Sequence, residues 1–360
     1  MPKRTWVPIV AAALLVAGIV VYSYQRWKTG SRGDRSELLA IMPNDASAVI
    51  YADLAELRHS PFTAQLYKWA PRQQVDPDYA QFLGDTGFDY ERDLDRLVIA
   101  VMKRGQDTSL FAVADGRFDQ KKIVAYASKS GARESDGVQE VLSVRLSGSS
   151  HKISFSFIGK NRISLTDNAD ITQLRRTKKE DADSEEWRKR FERLAGSPVF
   201  AVIRQDAGVG GALASQAPGG LQSPQLSALL DQLQWITLAG KPEADRLRVV
   251  AEGETSVDNT ARQLSELLNG VLILAQAGLN GRQLRQQLDQ GARQAYLEIL
   301  KGAEVSRIDR GETKSVRVMF DLTPKFLEAA RVAPSAGPVP ASPPKNHDAQ
   351  AQNGKAKAKK

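Results

Sequence analysis

The chain contains no cysteine. That absence excludes disulfides, cysteine-ligated zinc, iron–sulfur clusters, thiol catalysis and acylation of a lipoprotein cysteine. Histidine is nearly as scarce: His59, His151 and His347 are the whole supply. Excess positive charge on the central part is missing too. Residues 1–35 hold Lys3, Arg4, Arg26, Lys28, Arg32 and Arg35 against Asp34, a net of +5. Residues 333–360 hold Lys345, Lys355, Lys357, Lys359 and Lys360 against Asp348, a net of +4. Since the whole chain carries +8, the stretch between the flanks stands at −1. A nucleic-acid-binding domain carries its excess charge on the fold itself, so no nucleic-acid partner is expected.

What the chain does have is one long apolar run, Trp6 to Tyr24, without a charge. At 1.5 Å per residue, about 20 residues cross a hydrocarbon core of about 30 Å. Trp6 stands at one end and Tyr22, Tyr24 and Trp27 at the other, the aromatic belt of a spanning helix. The run ends in Tyr-Ser-Tyr-Gln-Arg-Trp, a poor cleavage site for a signal peptide. The reading is an uncleaved signal-anchor. It has a basic head at 1–5, a transmembrane helix at 6–24 and a polar linker at 25–35. The lipid bilayer is then a partner through Trp6 to Tyr24, and the protein sits in the cytoplasmic (inner) membrane by a single span. The Lys/Arg count leans towards a cytoplasmic domain, but a basic head before an apolar run is how an export signal begins. An extracytoplasmic domain is the orientation expected.

With 360 residues and 42% apolar composition, the chain can bury one large core or two ordinary ones. Residues 333–360 are Pro, Ala, Ser, Gln and Lys without apolar periodicity, and read as a disordered tail. Between linker and tail lies a repeat. In the first copy, 36–180, a short helix at Glu37–Ile41 precedes a strand at Ala48–Asp53. In the second copy, 181–332, the stripe Trp187, Phe191 and Leu194 precedes a strand at Val199–Ile203. A helical region follows each strand, Pro61–Trp69 and Ser223–Leu233. The strand pair Leu97–Met102 and Ser109–Ala114 matches Gln234–Ala239 and Leu247–Glu252, joined by turns with Gly105 or Pro242.

A helix then opens after Asp119 in one copy and after Ser256 in the other. In the second helix Val257, Ala261, Leu264, Leu268, Val271 and Ala275 recur at helical spacing. Alternating strands close each copy: Val141–Leu146, Ile153–Ile158 and Arg162–Leu165, then Val305–Ile308 and Val316–Phe320. An extra helix, Arg282–Leu300, breaks the symmetry. The order β-α-β-β-α-β, twice, predicts an α+β fold of two tandem ferredoxin-like repeats with antiparallel sheets.

One stretch carries a family resemblance. Met42-Pro-Asn-Asp-Ala-Ser-Ala-Val-Ile-Tyr-Ala-Asp53, Ser60-Pro-Phe62 and Thr86-Gly-Phe-Asp-Tyr-Glu-Arg-Asp-Leu-Asp95 resemble uncharacterised bacterial membrane-anchored proteins with a large domain of unknown function. The likeness covers about residues 36–115 and implies a bacterial envelope protein. It implies no activity and no catalytic residues.

Four constellations invite chemistry. Asp85, Asp89, Glu91, Asp93 and Asp95 suggest calcium, but Gly87 comes too early for an EF-type loop and Arg92 and Arg96 intrude. A turn and helix cap is preferred. Gly208-Val-Gly-Gly211 suggests a phosphate cradle, but Leu213 stands where the dinucleotide fingerprint needs Gly or Ala, and no P-loop lysine follows. Asp53, His59 and Ser60 offer the residue types of a triad without a nucleophile elbow, so a helix-start cap is preferred. Lys355–Lys360 could meet anionic lipid, and a solvated tail is preferred. Arg32-Gly33-Asp34 carries no weight. No catalytic, cofactor-binding or metal residue is therefore assigned, and no cofactor is expected.

The function expected is a non-enzymatic binding or scaffold module tethered to the membrane, with an envelope protein as partner. The alternatives are a hydrolase with two carboxylates about 5–9 Å apart, or a small-molecule sensor with an apolar pocket.

Overall fold

A computed structural model describes residues 35–69, 77–104, 107–135, 140–145, 152–175, 183–205, 224–281 and 289–332. It shows a mixed α+β architecture dominated by a single antiparallel sheet of 12 strands. The strands are β1 (Ala46–Asp53), β2 (Leu94–Arg104), β3 (Asp107–Gly116), β4 (Gly131–Ser135), β5 (Glu140–Arg145) and β6 (Lys152–Phe157). They continue with β7 (Arg162–Thr166), β8 (Val199–Arg204), β9 (Trp235–Pro242), β10 (Leu247–Thr255), β11 (Glu304–Arg310) and β12 (Thr313–Leu322). Their order across the sheet is β11-β12-β10-β9-β8-β1-β2-β3-β7-β6-β5-β4.

The helices are α1 (Arg35–Ala40), α2 (Leu54–Arg58), α3 (Pro61–Trp69), α4 (Pro77–Thr86), α5 (Tyr90–Asp93) and α6 (Gln120–Ser130). The second half adds α7 (Asp183–Arg193), α8 (Pro224–Leu230), α9 (Asp258–Leu279), α10 (Gln290–Gly302) and α11 (Pro324–Val332). Some of the helix starts have side-chain caps. Asp53 caps α2 by accepting from the Glu56 amide, and Asp289 caps α10 by accepting from the Ala292 amide.

The two halves meet at β1 and β8, which pair antiparallel with Val49 opposite Val202 and Tyr51 opposite Phe200. Side chains alternate across a strand, so these four share one sheet face. Leu38 and Leu39 of α1 and Trp187 and Phe191 of α7 pack onto it, with Val98, Ala100, Phe111 and Val113 continuing the core. The opposite face carries two further cores. Leu54, Leu57, Ile123 and Ala127 cover the first half. Leu226, Leu229, Ala261 and Leu264 cover the second, over Ile236 and Val316.

Two expectations are corrected here. The strand order departs from the ferredoxin-like plan, in which strands joined by a helix are parallel and a third strand separates them. Here β1 and β2 are joined through helices yet pair directly and antiparallel, and so do β8 and β9. The membrane placement also falls. Among the described residues no helix is long and apolar enough to cross a membrane. The longest, α9, has 22 residues, but it carries Asp258, Arg262 and Glu266 and spends Ala261 and Leu264 on the sheet. The expected span Trp6 to Tyr24, with the bilayer contact and the inner-membrane location built on it, lies outside the described residues, as does the expected tail at 333–360.

Candidate functional site: an arginine–glutamate face

β10 alternates strictly. Leu247, Val249, Ala251 and Gly253 share the face of α8 and α9, while Arg248, Val250, Glu252 and Glu254 share the face on which α7 lies. Gly253 has a packing reason: a Cβ there would come within 2.6 Å of Leu233 Cδ1. On the polar side, Trp235 of β9 and Ser315 of β12 stand opposite Glu254. Thr237 and Arg317 stand opposite Glu252.

Both glutamates are buried, Glu252 at 5% and Glu254 at 1% exposure. A buried carboxylate needs opposite charge and hydrogen bonds, and each has two arginines. Arg190 donates from Nη2 to Glu254 Oε2 at 2.6 Å, and Arg193 pairs with the other oxygen. The Arg190 guanidinium also lies 3.9 Å from the centroid of the Trp235 ring, and Trp187 meets that ring edge-on at 4.9 Å. Arg317 reaches Glu252 Oε2 at 2.8 Å and Arg310 reaches Oε1 at 2.5 Å. Burial acts to raise the Glu252 pKa, but hydrogen bonds from Arg310 and Arg317 outweigh it and hold the pKa below the ordinary glutamate value.

The result is two acid–arginine units with four guanidinium groups against two carboxylates. The acids are inside and the arginines outside: side-chain exposure is 32% for Arg193, 25% for Arg310 and 40% for Arg317. Farther along the same face, Asp321 binds Arg246 and Arg248 at 3.1 Å each. Glu243 and Asp245 add acid there, so that end is not basic.

The same face of the first half is balanced. Asp53, Arg96, Asp115 and Arg162 lie in register across β1, β2, β3 and β7. Arg162 is 2.6 Å from Asp115 and 3.7 Å from Glu37, and Arg96 is 3.8 Å from Asp115. Arg35 lies 4.7 and 4.6 Å from the ring centroids of Tyr51 and Phe200, and donates to the Leu194 and Ala195 carbonyls at the end of α7. Arg96 and Asp115 are buried.

The residues weighed from sequence do not assemble into a reactive centre. Asp53 caps α2, His59 Nδ1 is 2.6 Å from the Ala55 carbonyl, and Ser60 accepts from the Thr63 amide. In the acidic stretch Asp89 caps α5, Asp93 holds Arg92 and Arg117, and Asp95 holds Arg58. No metal-ligating cluster is present among the described residues. Glu91 is the perturbed member: burial, then the charge of Asp89, raises its pKa to about 7. Gly208–Gly211, His151, His347, Lys355–Lys360 and Arg32–Asp34 lie outside the described residues.

Sequence reasoning passed over the arginine–glutamate face because net charge hides it. The signal was present in the alternation Arg248-x-Val-x-Glu-x-Glu254 and Ser315-x-Arg-x-Met-x-Asp321. A solvated strand face has no need of charges that alternate in register with a facing strand.

No protein-family model matches the chain, and no curated protein sequence matches it. Among solved structures, crystal form III of TP0453 is similar at 11% identity and a TM-score of 0.42, over 82% of this chain and 97% of that one. Crystal form I of TP0453 gives 10% identity and a TM-score of 0.42, over 85% of this chain and 98% of that one. At these values the likeness carries no argument about what the chain does.

Proposed function

We propose that the protein is a non-enzymatic binding or scaffold module that docks a partner protein on the arginine–glutamate face of β10, β11 and β12. The observation that carries this is the placement of charge: Glu252 and Glu254 are buried while Arg193, Arg310 and Arg317 above them stay open to solvent. The buried Asp93 of the first half holds two part-open arginines in the same way; what sets this face apart is two such units side by side on one strand. Here the buried acids orient arginines outward, as an interface that recognises anions requires. The arginine pairing speaks against the hydrolase alternative at this place. Two carboxylates two residues apart on one strand face sit about 7 Å apart, within the range of such enzymes. Both are paired with arginines, and the Glu252 pKa is held below the ordinary glutamate value, so Glu252 is not poised to donate a proton.

We also propose that residues 36–180 and 181–332 are copies of one unit, related about the β1–β8 pair. Outward from that pair the order β1-β2-β3 mirrors β8-β9-β10, and α1 and α7 enter on the same face.

A photo-crosslinking residue at Ser306, exposed on β11 opposite Arg317, tests the docking reading. The expected result is adducts at Ser306 that vanish with Arg310→Ser and Arg317→Ser, and none from the exposed Lys121 on α6. Recovery of the monomer alone from Ser306 would refute it.

A further inference from the structure

We infer that the partner is read as an extended acidic segment with carboxylates at alternate positions, acid-x-acid. The inference rests on the docking reading and adds the ligand's chemistry and spacing. Glu252 and Glu254 are two residues apart on β10, so the carboxylates that gather the two arginine sets repeat at about 7 Å. An extended peptide projects its i and i+2 side chains to one side at that same repeat, whereas adjacent side chains point to opposite sides. One incoming carboxylate would then meet Arg193, whose neighbour Arg190 is buried, and the next would meet Arg310 and Arg317. Arginine forks suit carboxylates, and each unit retains one positive charge after its own glutamate is counted.

At the next level Val250 stands opposite Ala239 and Met319, and the exposed Glu304 opposite Met319 already disfavours an incoming acid. The level beyond holds Asp321, beside Glu243 and Asp245, and disfavours further acid. The basic footprint is therefore two units long. Single-stranded nucleic acid fits less well, because its grooves offer aromatic rings for base stacking. Trp235 and Trp187 at this site are each 5% exposed, and Arg190 covers Trp235.

The test uses the full chain and two peptides of one composition, Thr-Val-Glu-Thr-Glu-Val-Thr and Thr-Val-Glu-Glu-Thr-Val-Thr, titrated by calorimetry at low salt. The alternating peptide is expected to bind at least tenfold more tightly than the adjacent one. Arg317→Ser and Arg310→Ser are expected to abolish the difference. Ser306→Glu, at an exposed position that leaves folding undisturbed, is expected to weaken binding by placing an acid against Arg317. Equal binding of the two peptides would overturn the spacing while leaving the crosslinking result from Ser306 to stand. Binding of neither, or tighter binding of an oligothymidylate, would overturn the ligand class.

Discussion

In the first half of the sheet, the charges of the shared face come as matched sets: Arg35, Arg96 and Arg162 answer Glu37, Asp53 and Asp115. In the second half, two glutamates answer four arginines. The first face is closed by α1 and α7 and its charges are spent internally. The second carries a local surplus outward. The difference teaches that the near-neutral sum over the central residues conceals segregation, and that a local field follows from placement rather than from a total.

Breaking a buried acid should separate the two halves most sharply. Glu254→Ala leaves Arg190 buried without its carboxylate, and urea unfolding should show a loss of about 3–5 kcal/mol. Gly116→Ala, in the first half, places a Cβ 2.4 Å from the Asp93 carbonyl oxygen. The backbone around Asp93 and Arg117 must shift, and a loss of about 1–3 kcal/mol is expected from the same measurement. Arg317→Ala strips one of two arginines from the buried Glu252, so a loss of about 1–3 kcal/mol is expected together with loss of partner binding.

The pH dependences of the two halves have opposite signs. Glu91, in the first half, has its pKa raised from 4.5 to about 7, so the folded state binds its proton more tightly. Its contribution is fully present below 4.5 and is lost as the pH rises through about 7. Glu252, in the second half, is lowered from 4.5. Its contribution is present above that value and is lost as the pH falls through the depressed one. Unfolding curves across pH 3 to 8 should lose the first slope in Glu91→Gln and the second in Glu252→Gln.

The strands and most helices were legible because their signal is local. The alternation in Ala48–Asp53 and Leu247–Glu252 and the helical spacing from Ala261 to Leu268 need no partner to be read. Strand order was not legible. Helix-joined strands can be direct antiparallel neighbours or parallel strands split by a third, and composition does not choose between them. The pairing of Tyr51 with Phe200, residues far apart in the chain, decides it here. The arginine–glutamate face was missed for a related reason. Arg190 and Arg193 lie on a helix about sixty residues before Glu254, and only the fold brings them together. Asp53, Asp89 and Ser60 read as caps in the sequence, and each accepts from an amide within three residues, whereas Asp93 and Asp95 reach the distant Arg117 and Arg58.

The claim that the second half presents its arginines to a partner is most directly tested by arginine-selective labelling read by peptide mass spectrometry. The purified protein and the protein in its native extract would be compared. The account predicts that Arg193, Arg310 and Arg317 react in the purified chain and are protected in the extract, while Arg58 and Arg96 react slowly in both. Equal labelling of Arg317 in the two samples, or fast labelling of Arg96 in the purified chain, would contradict it.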